Sequence, residues 1–258
     1  MKCELAFQIA AQSGGKLGLD DSFRFHCDDR HVCFLQCCTG SHVWLTSYDI
    51  VRLKGALAMT SGEFLERYTR MLYPPESGYP VVMMKMGEGG TGRCPFATEA
   101  GCLVYNDRPW VCRMFPLVPE FGNERPAAVV DEHEPRFQVH HWEHCLGNGQ
   151  GQPVTIRQWR DRQGLAEYEE INREWKKVTH HTEFGSRNLL EGEAAELFCL
   201  GCYDIDRFRN ALFAGEFQSE FNAGKELPEG IETSAAELLK LAFRWLRQVL
   251  FGEKMQAR

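Results

Sequence analysis

The sequence predicts an α+β fold, mostly α: an irregular cysteine-rich core with short strands, flanked by helices and followed by a helical C-terminal part. Three observations predict it. Cysteines gather in two segments whose other residues are largely polar and aperiodic. The extended runs around those segments are short. Beyond the stretch GNGQGQP, apolar residues recur at helical spacing. The expected organisation is a lead-in over 1–20, a cysteine cluster domain over 21–150, and a helical extension over 151–258 packed on it.

The lead-in contains a pliable SGG and a lone Cys3, read as a small apolar residue. Phe23 to Phe25 form a brief extended entry to a polar cysteine loop, and HVWL is a short strand after it. Thr46 is an N-cap candidate with Asp49 in the electropositive first turn, and Ile50, Leu53 and Leu57 make an apolar stripe. Thr60 and Glu63 form a capping-box pattern for a second helix, with Phe64, Tyr68 and Met71 or Leu72 on its apolar face. Pro74-Pro75 ends that pair. PVVMMKMG reads as a strand. The following GEGGTG lacks the Lys-Ser/Thr sequel of a phosphate loop and is read as a turn toward Cys94. AAVVDEH and RFQVHHW are expected to be a strand pair. GNGQGQP reads as the clearest boundary in the chain. After it, Ile156, Trp159, Leu165, Tyr168, Ile171, Trp175 and Val178 make one long amphipathic stripe. GEAAELFCLG and DIDRFRNALFAG are shorter helices, and Ser234 with Glu237 caps a terminal one.

Bulk properties narrow the function classes. With 258 residues, 43% of them hydrophobic, the chain can bury a core unaided, so a metal would shape a local region rather than rescue a tiny fold. The net charge of −7 and the absence of a Lys/Arg-rich run argue against nucleic acid or acidic lipid as partners. No stretch has the roughly 20 apolar residues of a membrane span. The N-terminal stretch does not have the run of a secretory signal. The expected location is therefore cytoplasmic, where thiols stay reduced and clustered cysteines read as metal ligands or redox groups.

Eight of the eleven cysteines carry that reading. Cys27, Cys33, Cys37 and Cys38 are spaced C-x5-C-x3-C-C; Cys94, Cys102 and Cys112 follow as C-x7-C-x9-C; Cys145 comes last. Thiolate is a soft ligand for Zn²⁺, Cu(I) or iron–sulfur clusters, and four sulfurs complete either a zinc site or a cubane. The neighbours Cys37 and Cys38 sit about 3.8 Å apart at Cα, with side chains that diverge in extended backbone. They serve two metals, or two irons of one cluster, better than one ion. The loose spacing also differs from paired C-x2-C zinc knuckles, which favours an iron–sulfur cluster, [4Fe–4S], with zinc as the alternative. Arg93, Arg108 and Arg113 lie beside cysteines and are read as cofactor-binding through charge: cations stabilise an anionic thiolate centre.

Other candidates weigh less. Cys199 and Cys202 form a C-x2-C within an apolar helical pattern and read as packing residues. His140, His141 and His144 near Cys145 read as polar and half-exposed. His26 and His31 are placed around the centre rather than on it. No G-x-S-x-G, H-E-x-x-H or P-loop occurs, so no reaction is assigned.

The block CPFATEAGCLVYNDRPWVCRMFP, with the upstream cysteine string and LTSYDIVRL, resembles the YkgJ-type cysteine cluster proteins, also described as a zinc- or iron-chelating or Fe–S-cluster-containing domain family. The resemblance spans about residues 23 to 145, although the family's first gaps are tighter, C-x2-C-x2-C-C. It implies a metal class. The flanking CLGNGQGQPVTIRQWRDRQGLAEYEEINREW, similar to longer members, supports Cys145 as the eighth ligand. Three readings follow. The first is an iron–sulfur protein with an electron-transfer, redox-sensing or accessory role. The second is a zinc-binding interaction module whose helical C-terminal part docks a protein. The third is a protein-modifying enzyme, because flagellin lysine methylase carries a similar cysteine string.

Overall fold

A computed structural model describes residues 15–75, 77–87, 92–120, 135–182, 184, 189–217 and 230–253. Cys3, the AAVVDEH strand and most of GEGGTG lie outside the described residues. The fold is α+β and mostly α, with short antiparallel strands around the cysteine segments. Among the described residues no helix is long and apolar enough to cross a membrane.

The chain divides into two compact units, residues 1–43 with 84–169 and residues 44–83 with 170–258. Each is built from two separated pieces of chain. The chain leaves the first unit and returns to it at one place, where the Met84 N–H donates to the Val43 carbonyl at 2.9 Å.

The first unit holds all eight candidate ligands. Strand β1 (Ser22–Phe25) alternates exposed and buried residues. Phe23 and Phe25 both pack edge-on against Trp159, with ring centroids 5.6 Å apart in each pair. The partner of β1 comes from GNGQGQP. That stretch continues into strand β9 (Asn148–Thr155), which is antiparallel to β1 with Ser22 opposite Thr155 and an irregularity between Arg24 and Phe25. Two of its glycines, Gly147 and Gly151, serve close approach. A Cβ on Gly147 would stand 2.4 Å from the His26 carbonyl, and Gly149 and Gly151 have φ of +76° and +78°. Two further pairings position cysteines. Strands β5 (Ala97–Thr98) and β6 (Gly101–Cys102) form a hairpin, and β7 (Leu117–Pro119) pairs with β8 (Phe137–Val139). Helix α3 (Trp110–Met114) carries Cys112. The expected single stripe is two helices, α4 (Ile156–Arg162) and α5 (Leu165–Thr179). Gly164, at φ +63°, ends the first in the left-handed region that glycine enters at little cost.

The second unit is helical around one three-stranded sheet, ordered β2 (Trp44–Leu45), β4 (Val81–Met84), β3 (Thr69–Leu72). Helices α1 (Ser47–Ala56) and α2 (Ser61–Tyr68) both open with capping boxes, Thr46 with Asp49 and Thr60 with Glu63. They fall with the C-terminal helices for a polar reason as well as an apolar one. The Ser61 hydroxyl donates to Asp204 at 2.6 Å, its N–H donates to Asp206 at 2.7 Å, and Lys54 pairs with Asp206 at 2.9 Å. Helices α6 (Gly192–Cys202), α7 (Ile205–Phe213) and α8 (Ala235–Phe251) complete the core, where Phe198, Phe208, Leu238 and Leu246 are fully buried. Ser234 caps α8 by accepting the Glu237 N–H, while the Glu237 carboxylate takes Lys240 at 2.8 Å.

Candidate metal centre

The cysteine loop folds as a chain of tight turns. Phe34 N–H donates to the His31 carbonyl, Gln36 N–H to Cys33 and Cys38 N–H to Leu35, ending in a short 3-10 turn at Gln36–Cys38. The second cysteine segment is tied to this loop by backbone. Thr39 forms a β-bridge with Arg93, Cys94 N–H donates to the Cys38 carbonyl at 2.7 Å, and Gly40 N–H donates to Gly92 at 2.9 Å. Cys145 is tied in separately: the Leu146 N–H donates to the Cys33 sulfur at 3.3 Å. Three stretches distant in sequence are thereby joined.

The sulfurs feel one another's charges across these stretches. Burial raises Cys27 to about 11, and the charges of Cys37, Cys33 and Cys145 add to it. Burial raises Cys94, Cys102 and Cys145, and the Cys37 charge contributes to each. Cys38 is raised by the hydrogen bond it gives Cys37, then by burial and by the charges of Cys37, Cys94 and Cys112. The Cys37 sulfur, which receives that bond, is lowered to about 7, helped by its own backbone N–H and by Arg108. Cys37 is therefore the hub on which both cysteine segments and Cys145 converge electrostatically. All ten cysteines among the described residues are free thiols.

Bare thiolates repel one another here, yet the backbone is arranged to receive charge on sulfur. Phe96 and Ala97 N–H groups point at the Cys94 sulfur, Val104 at Cys102, and Gly147 and Asn148 at Cys145. Each donor lies two or three residues after its cysteine. Such N–H···S bonds stabilise thiolate and tune a sulfur-ligated metal. The donor set thus fits a thiophilic metal, even though among the described residues no group of three or more Cys, His, Asp or Glu side chains is assembled to hold an ion.

The three arginines differ. Arg108 lies 3.7 Å over the Tyr105 ring, bonds the Tyr105 carbonyl and the Gln163 side chain, and lends its charge to Cys37 and Cys102. Arg113 is buried and donates to three carbonyls, those of Arg108, Gln163 and Asn106, so it braces the loop. Arg93 reaches the Thr98 carbonyl at 3.5 Å.

Cys199 and Cys202 lie on α6 in the second unit. Cys202 is fully buried, and the Cys199 thiol donates to the Met71 sulfur at 3.2 Å, with burial pushing it up to about 12. Both are packing residues. The His140 ring packs against Phe115, and burial followed by the charge of His141 lowers its pKa, which keeps it neutral. Sequence reasoning missed Asp28, whose carboxylate joins His26, His31 and Arg30. The run HCDDRH was the signal, since a carboxylate flanked by two imidazoles and a guanidinium within six residues has partners on every side.

Compared with known proteins, residues 26–141 match the CxxCxxCC family model, described as a "putative zinc- or iron-chelating domain". No curated protein and no solved structure matches the chain.

Proposed function

We propose, from the match of residues 26–141 to the CxxCxxCC model of a zinc- or iron-chelating domain, that the chain is a cytoplasmic iron–sulfur protein serving electron transfer, redox sensing or an accessory step. Cys27, Cys33, Cys37, Cys38, Cys94, Cys102, Cys112 and Cys145 are the ligands of this reading. The supporting observation is the convergence on Cys37 of thiols from both cysteine segments and from Cys145. Adjacent Cys37 and Cys38 lie in the 3-10 turn with their thiols hydrogen-bonded to each other, so two sulfurs stand at one point of the loop. An iron–sulfur centre would supply one-electron chemistry at a potential set by hydrogen bonds to its sulfurs and by local charge. The chain's own contribution is then the N–H donors at Cys94, Cys102 and Cys145, with Arg108 offsetting negative charge near Cys37 and Cys102. Arg113 and Gln163 hold the Arg108 loop in place.

Anaerobic purification followed by iron, zinc and acid-labile sulfide analysis tests this reading. Iron with matching sulfide and a visible absorbance bleached by dithionite is expected. Colourless protein with stoichiometric zinc would reject it and leave zinc as the metal.

A further inference from the structure

We draw no further inference here: the strongest candidate, the exposed apolar side chains of Val32, Leu103, Tyr105 and Leu146 among the cysteine segments of the first unit, flanks the centre already described, and nothing in the structure shows what covers it.

Discussion

Gly147→Ala is the sharpest test of how the cysteine segments are joined. An added Cβ would stand 2.4 Å from the His26 carbonyl oxygen and 3.0 Å from a Phe25 ring carbon. Relief needs a backbone shift of about 0.8 Å, since carbon–oxygen contacts below about 3.2 Å are repulsive. The same movement breaks the bond from the His26 N–H to the Gly147 carbonyl, now 3.1 Å. Overpacking contributes about 1–3 kcal/mol and the lost bond about 1 kcal/mol, so the expected destabilisation is about 2–4 kcal/mol. In a chain of this size that is a fall of about 5–15 °C in Tm. His26 precedes Cys27, and Gly147 follows Cys145 by two residues, so bound metal per chain should fall as well. Gly149→Ala is the control: φ is +76° but nothing lies within 4 Å, so conformational strain alone costs about 1 kcal/mol. A Gly147→Ala protein that melts with the parent and keeps its metal, or a Gly149→Ala protein that loses more, would refute the reasoning.

Three further outcomes are expected. In metal-free protein, Cys37, lowered to about 7 from an ordinary 9.0, should be alkylated with a midpoint near neutrality, and Cys38→Ala should move that midpoint upward by removing the donated hydrogen bond. Mass-spectrometric mapping of iodoacetamide labelling against pH reads this directly. Gly201→Ala should place a methyl 2.8 Å from two carbons of the fully buried Leu246. Overpacking then outweighs the helix-propensity gain of about 1 kcal/mol, and the urea midpoint should drop by the equivalent of about 0.5–2 kcal/mol. Burial acts to raise Asp206, but Lys54 and Ser61 outweigh it and hold the carboxyl below its ordinary value. The stability it supplies is present above the ordinary carboxylate range and is lost as pH falls through the lowered value. Asp206→Asn should therefore cost about 1–3 kcal/mol at neutral pH and progressively less in acid, as followed by denaturant unfolding across pH.

Much of the local structure was legible in the sequence because it rests on local chemistry. Thr46 with Asp49 and Thr60 with Glu63 announce helix starts by pairing a hydroxyl with an acid three residues on, and both boxes form. The cysteine spacing pointed to metal chelation because clustered reduced thiols have few other uses, and residues 26–141 match a zinc- or iron-chelating domain model. Non-local features were hidden. GNGQGQP looks like a linker, yet its glycines let β9 and the residue before it pass close to β1, a requirement visible only once Phe25 and His26 are placed. The stripe from Ile156 to Val178 carries no sign of its break except Gly164, whose positive φ is a property of the fold. That α1 and α2 fall with the C-terminal helices follows from Lys54 and Ser61 meeting Asp204 and Asp206, partners about 150 positions away in sequence.

The contact between Val43 and Met84 makes the intervening 44–83 an excursion with a closed neck. Chain surgery can exploit this: replacing 44–83 by a two-residue splice and stopping after 169 preserves every sulfur of the first unit in its original order. Such a trimmed molecule is expected to load metal, and loading would show that the helical half is dispensable for assembling the centre.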